Sequence, residues 1–282
     1  MTQVAELRPS VRSALPGFVG LSFALAWSLW GASSTIPASG PASILRQLVF
    51  LGGVFSPGIA AIILTWRTEG KASAKYLVLH AFRFPSNSAW YVFAAGYIVV
   101  VRLVAASIDR AITGAWPEFG ETRVLLIGLG IAISTWVQLG EELGWRAFAL
   151  PRLAAHIGWR LASIALGILW AAWHLPRFFA QSSDVYQHSF IEFLLQVTAL
   201  SCTIAWLYLR TDSLVLVMLM HAAVNNTTGL VRADGPHPGN PFGVSHSLFS
   251  WTMTGLLWLG AAVCLHLLPS ADHTRPTCGR ML

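Results

Sequence analysis

Apolar residues run along this chain in long blocks separated by short polar stretches. Eight blocks stand out, over residues 15–35, 48–66, 89–108, 124–150, 161–175, 190–209, 214–230 and 248–268. A helix rises about 1.5 Å per residue, so roughly 20 apolar residues cross a hydrocarbon core of about 30 Å. The pattern therefore predicts an all-α, polytopic membrane protein of about eight transmembrane helices. It is read as one membrane domain over residues 1–282 with no soluble appendage. Links rich in Gly, Pro and Ser, such as 37–43 and 235–243, are read as loops. The first block follows a polar start carrying Arg8 and Arg12. It is longer than the apolar part of a signal peptide and more spans follow, so it is read as an uncleaved anchor.

Composition agrees and excludes other classes. Hydrophobic residues make up 55% of the chain and charged residues 11%. That is under half of the roughly 25% charged residues usual in soluble domains, which rules out disorder, fibrous repeats and a water-soluble enzyme of this length. A net charge of +6 would point to nucleic acid in a soluble protein. In a membrane chain it points to loops lying against anionic lipid, and no nucleic-acid partner is expected. With a cytoplasmic N-terminus, the inner segments hold Arg8, Arg12, Arg67, Lys71, Lys75, Arg83, Arg152, Arg160, Arg210, Arg275 and Arg280. The outer ones hold Arg46, Arg110, Arg123, Arg177 and Arg232. This asymmetry predicts a multi-pass protein of the cell membrane with both termini cytoplasmic. Cys202, Cys264 and Cys278 are scattered, with no CxxC, and indicate neither a disulfide framework nor a cysteine metal site.

The chain has only twelve acidic residues, so an acidic pair inside an apolar block carries information. Glu141 and Glu142 lie in the fourth block, followed by Arg146. An ionisable side chain at the bilayer centre costs at least about 2.5–3.5 kcal/mol, so this pair needs partners or a function. Glu142 and Arg146 are four residues apart in the favourable acid-before-base order and can neutralise each other. Glu141 points about 100° away and lacks that partner, which suits it to acid/base work. A purely structural role, locking the helix to a neighbour, remains equally open on this motif alone. In the fifth block Trp170 and His174 stand at i and i+4, so the indole can pack on the imidazole and orient it. Alone, such a histidine reads as an interfacial one. In the seventh block His221 and Asn225 share one helical face. Two neutral donors aimed at one point suit an oxyanion, and helix–helix hydrogen bonding is the plainer use of the same pair. By helix rise, Glu141 and His221 come to similar depths, roughly 13 and 12 Å from their helix ends, while His174 lies deeper at roughly 20 Å.

Glu141-Glu142-xxx-Arg146, then Trp170-xxx-His174, then His221-xxx-Asn225, in successive spans, resembles the CPBP family of intramembrane proteases (CAAX processing and bacteriocin processing, also called Abi). The resemblance covers residues 124–230 and implies a catalytic core in helices 4, 5 and 7. Family members often carry Phe where this chain has Trp170. The resemblance implies an endopeptidase opening toward the cytoplasm, acting on a peptide or protein substrate, lipidated in the eukaryotic members. It implies that Glu141 with His174 activates water, that His221 and Asn225 stabilise the oxyanion, and that Glu142 and Arg146 support the site. No cofactor is expected on the preferred metal-free glutamate mechanism. A His₂Glu zinc site of Glu141, His174 and His221 is the alternative, since the family has carried a metalloprotease label. Two other readings stay open, a non-catalytic immunity or scaffolding protein of the same fold and a proton or metal transporter. Arg102, inside the third block, has no assigned role; pairing with Asp109, snorkelling and binding a substrate carboxylate are its options.

Overall fold

A computed structural model of the protein describes residues 14–121, 123–181, 183–231, 240–244 and 246–269. Arg8, Arg12, Arg232, Cys278, Arg275 and Arg280 lie outside these residues, so part of the charge count falls outside them too. The described residues form helices joined by short loops, with a single isolated bridge between Phe119 and Val231. The helices are α1 (Ala14–Thr35), α2 (Ala42–Val54), α3 (Ser56–Glu69), α4 (Lys71–His80), α5 (Ala89–Thr113) and α6 (Val124–Val137). An α-turn Leu139–Glu142 and a π-helical segment Leu143–Ala149 follow, then α7 (Leu150–Trp173), α8 (Phe190–Thr211), α9 (Leu214–Asn226) and α10 (Leu248–Leu267).

Local sequence accounts for several helix ends. Ser189, Ser213 and Ser247 stand just before α8, α9 and α10, and each hydroxyl accepts from the backbone N–H three residues on. Each thereby satisfies one of the donors that a helix start leaves free. Gly158 takes φ 74° and ψ 161° within α7, a conformation that breaks the helical ladder. The break is physically required. The apolar run Val124–Trp173 is 50 residues long, about 75 Å of helix against a core of about 30 Å. It therefore has to fold back, and the kink at Gly158 falls between the predicted fourth and fifth spans.

Among the described residues five helices are long and apolar enough to cross a membrane, or six if the bent pair α2 and α3 is one span. These are the helices of a multi-pass membrane protein. The count of eight is reached only by taking the kinked run as two passes and the 13-residue α9 as another. The second predicted span is corrected in form. Helices α2 and α3 meet at 51° around Phe55, where Pro57 opens the second of them and disfavours continuation of the first. Helix α4, ten residues long, lies between the second and third apolar blocks and is marked by neither.

Two ends of the bundle can be told apart by their contacts. Arg152 pairs with Glu69, Arg83 with Asp212, and Arg160 donates to the carbonyls of His266 and Leu268. With Arg67, Lys71, Lys75 and Arg210 these residues make one strongly basic end. At the other end Arg46 donates to Ile36 O, Gly120 N–H to Leu230 O, and Phe190 N–H to Pro241 O.

The bend in α2–α3 packs against the acidic motif. A Cβ built on Gly140 would stand 2.8 Å from Phe55 Cα, and one on Gly144 would stand 2.5 Å from the Pro57 carbonyl carbon. Both lie far inside normal contact distance, so the two glycines let the bend touch the backbone that carries Glu141 and Glu142. Small residues spaced i, i+4 are a common means of close helix approach in membranes.

Candidate active site

The acidic residues sit where α-helical winding gives way to a π-helical segment, at Glu142–Leu143. Single-turn π insertions re-aim side chains and recur at functional sites. Glu142 and Arg146 are both fully buried. Arg146 Nη1 lies 3.0 Å from each carboxylate oxygen of Glu142 and donates to Oε1. The pairing expected from their spacing is therefore present. Glu142 Oε1 also receives His221 Nδ1 at 2.7 Å, from α9. One carboxylate thus joins two elements 79 residues apart in sequence.

Glu141 makes a different contact. Its Oε2 accepts the indole N–H of Trp170 at 2.7 Å, from α7. Among the described residues its Oε1 has no hydrogen bond within the protein, and the side chain remains slightly open, at 5% exposure. Glu141 has no basic partner on its own helix, as the spacing implied.

Trp170 is the residue around which the site is built. Its ring meets that of His221 edge-on at 5.0 Å and that of His174 at 6.1 Å. The Arg146 guanidinium lies over it, 4.2 Å from its centroid, in cation–π contact. The Trp170 carbonyl lies 2.9 Å from His174 Nδ1. A carbonyl can only accept, so Nδ1 carries the proton and a neutral His174 presents Nε2 as a lone pair. His174 ends α7, with Pro176 in the turn that follows, and sits one turn beyond Trp170. The ring stays linked to Glu141 through Trp170. Reading Trp170 as packing alone missed its hydrogen bond. Phe at this position could not make it.

The histidine from α9 is also constrained. An ionised Glu142 can only accept, so His221 donates from Nδ1, and in its neutral form Nε2 is an acceptor. Only the doubly protonated ring could donate to an oxyanion. Asn225 lies one turn further, at the end of α9, and is exposed. No hydrogen bond joins its carboxamide to Glu141, Glu142, His174 or His221. Its neighbour Asn226 instead bonds Ser134 Oγ at 2.7 Å and holds α9 against α6. Arg102 is 6% exposed, its Nε is buried without a partner, and it makes no ion pair with Asp109.

Among the described residues, no three His, Cys, Asp or Glu side chains are grouped so that they could hold a metal ion. Glu141, His174 and His221 as placed do not fit a zinc centre.

Comparison with known proteins converges on the same segment. Residues 123–227 match the family described as Type II CAAX prenyl endopeptidase Rce1-like. The chain is also 24% identical, over 221 residues, to CAAX prenyl protease 2 of Methanococcus maripaludis, covering 72% of this chain and 80% of that protein. All three motifs lie within the matched residues, from Glu141 to Asn225, and over that segment the likeness to the CPBP family of CAAX prenyl endopeptidases is borne out.

Proposed function

We propose that the protein is an intramembrane endopeptidase that hydrolyses a peptide bond of a membrane-associated, isoprenylated peptide or protein. The observation that carries this reading is the state of Glu141. One carboxylate oxygen is fixed by the Trp170 indole and the other is left for a water, and the Trp170 carbonyl holds His174 so that its Nε2 is a lone pair. Glu141 Oε1 takes a proton from that water while His174 Nε2 accepts its second O–H, and the hydroxide oxygen attacks the peptide carbonyl carbon. The proton held on Glu141 then passes to the leaving nitrogen as the C–N bond breaks, so water's atoms are shared between the two products. Asn225, exposed at the open side, supplies a neutral donor for the oxyanion, and His221 a second when it is doubly protonated. Glu142 and Arg146 hold His221 and Trp170 in place. This chemistry calls for no cofactor.

The test is direct. The purified full chain in lipid nanodiscs is expected to release the C-terminal fragment of a quenched fluorescent peptide ending in an isoprenylated CAAX sequence. A strong chelator should leave the rate unchanged. No release from this peptide by the active-concentration preparation would remove the protease reading, and loss of activity in chelator would restore the metal version.

We also propose that the basic end faces the cytoplasm, carrying both termini with it, since basic residues concentrate on the inner side. His174 and the loop after it lie toward the opposite end, so the site's mouth then turns outward, against the cytoplasmic opening that the family resemblance implied. A C-terminal reporter active only on the outer side would reverse the orientation and bring the mouth inside.

A further inference from the structure

The end of α7 that carries His174 is clamped by α1, a helix outside the residues 123–227 matched to the family. A helix end leaves carbonyls without helical donors, and Trp173 stands at such an end. Its helical donor would be the N–H of Arg177, four residues on, which donates to the His174 carbonyl at 2.9 Å instead. The Trp173 carbonyl accepts the indole N–H of Trp27 at 3.0 Å, across 146 residues of sequence. The indole N–H of Trp173 in turn donates to the Ser22 carbonyl of α1 at 3.3 Å. One helix thus holds Trp173 by both its backbone and its side chain.

The Trp173 carbonyl and the His174 N–H belong to one peptide plane. Trp27 holds the oxygen of that plane, and the Ala171 carbonyl accepts from its N–H at 3.0 Å. Held at both edges, the plane cannot turn without breaking a hydrogen bond, and the Cα that bears the imidazole is fixed with it. The ring is packed by Trp173 edge-on at 4.7 Å, by Phe193 at 5.2 Å and by Trp30 at 6.2 Å. The tautomer of a histidine is set by the bond its other nitrogen makes. Here that bond runs from Nδ1 to the Trp170 carbonyl one turn back, and it lasts only while the final turn of α7 keeps its shape.

We infer that Trp27 is a positioning residue for His174, its indole N–H fixing the Trp173–His174 peptide so that α1 becomes part of the catalytic unit. The inference rests on the role given to His174 above. A displacement of about 1 Å at a reacting group can cost about 10²-fold in rate, so a single donor on this plane carries a measurable share of turnover. Trp27 also borders a cavity of about 860 Å³ between α1, α2 and the loop after α7. A variant that shrinks the ring would change that space as well, so the substitution has to keep the ring and remove the N–H.

Benzothienylalanine, inserted in place of Trp27 in the full chain by amber suppression, keeps the bicyclic ring and puts sulfur where the N–H stands. Fluorotryptophan inserted the same way keeps the N–H and is the control. In nanodiscs the sulfur analogue should lower kcat on the isoprenylated peptide by about tenfold or more and leave KM within about twofold, with the control at the wild-type rate. Ring-nitrogen NMR of isotope-labelled histidine reads His174 without turnover, its signals assigned by their loss in His174→Gln. The wild type should show the Nδ1–H tautomer, and the sulfur analogue should show signals moved toward the Nε2–H form. Unmoved signals overturn the inference whatever the rate does, and so do moved signals with an unchanged kcat. If the wild type cleaves no peptide, the protease reading falls and the NMR arm decides the positioning by itself. Trp27→Phe, measured in the same two ways, takes the analogue's place if that protein does not fold.

Discussion

Glu141→Gln is expected to lower hydrolysis by about 10²–10⁴-fold, the range typical when a general base is removed. The geometry makes this a clean substitution. Gln keeps the volume and keeps an oxygen for the Trp170 indole N–H, which lies 2.7 Å from Glu141 Oε2. It removes only the second anionic oxygen, the one left for water. No buried cation is stranded, because the charge of Arg146 is met by Glu142 through an Nη1 contact at 3.0 Å. Thermal unfolding in detergent should therefore stay within about 2–4 °C of the wild type, the shift that roughly 1 kcal/mol causes in a chain of this size. The decisive pair of measurements is single-turnover cleavage and melting on the same preparation. Near-native cleavage by the variant would assign the base elsewhere, with His174 the next residue in reach. A collapsed melting temperature would mean that Glu141 serves the fold.

The parts of the site that lie along one helix could be read from the sequence, and the parts that cross between helices could not. Spacing placed Arg146 on the face of Glu142 and left Glu141 without a basic partner, and both hold even though the winding there becomes π-helical. The spacing of His221 and Asn225 likewise put them on one face, and they occupy successive turns of α9. The Trp170–Glu141 bond spans 29 residues and the His221–Glu142 bond spans 79, and no periodicity reports such pairings. Trp170 illustrates the limit. At i−4 from His174 it reads as a ring that packs, yet its N–H and its carbonyl are what connect the glutamate to the histidine.

Two further features of the sequence bear on this contact. Gly140 and Gly144 flank the acidic pair at the spacing that permits close helix contact, and the backbone of Phe55–Pro57 fills that space. Pro57 itself lacks the backbone N–H that would continue the preceding helix and stands in the first turn of α3, two residues after the bend at Phe55. The apolar block at 48–66 concealed this, because hydropathy measures burial in lipid and is blind to direction.

Glu142→Ala is expected to cost about 3–5 kcal/mol of stability, the range for removing one partner from a buried ion pair, and to abolish turnover with it. Both Glu142 and Arg146 are fully buried, so the guanidinium would be left with the face of Trp170 as its main support. His221 would lose the acceptor that fixes its Nδ1 proton, and with it the orientation of its ring against Trp170. Loss of folding and loss of catalysis would then arrive together, so the single variant cannot separate them. The double variant Glu142→Leu/Arg146→Met does. Replacing a buried ion pair by apolar groups of similar volume is often neutral for stability. The double variant should therefore recover most of the melting temperature lost in Glu142→Ala. It should remain inactive, because His221 still lacks its acceptor and Trp170 has lost the cation that sits over its ring at 4.2 Å. Chemical unfolding of all three proteins in the same detergent, with cleavage measured on each folded sample, checks both halves. If Glu142→Ala unfolds with the wild type, the buried charge is relieved by a route other than Glu142. If the double variant cleaves normally, the pair serves stability alone, and the positioning of His221 must come from Trp170.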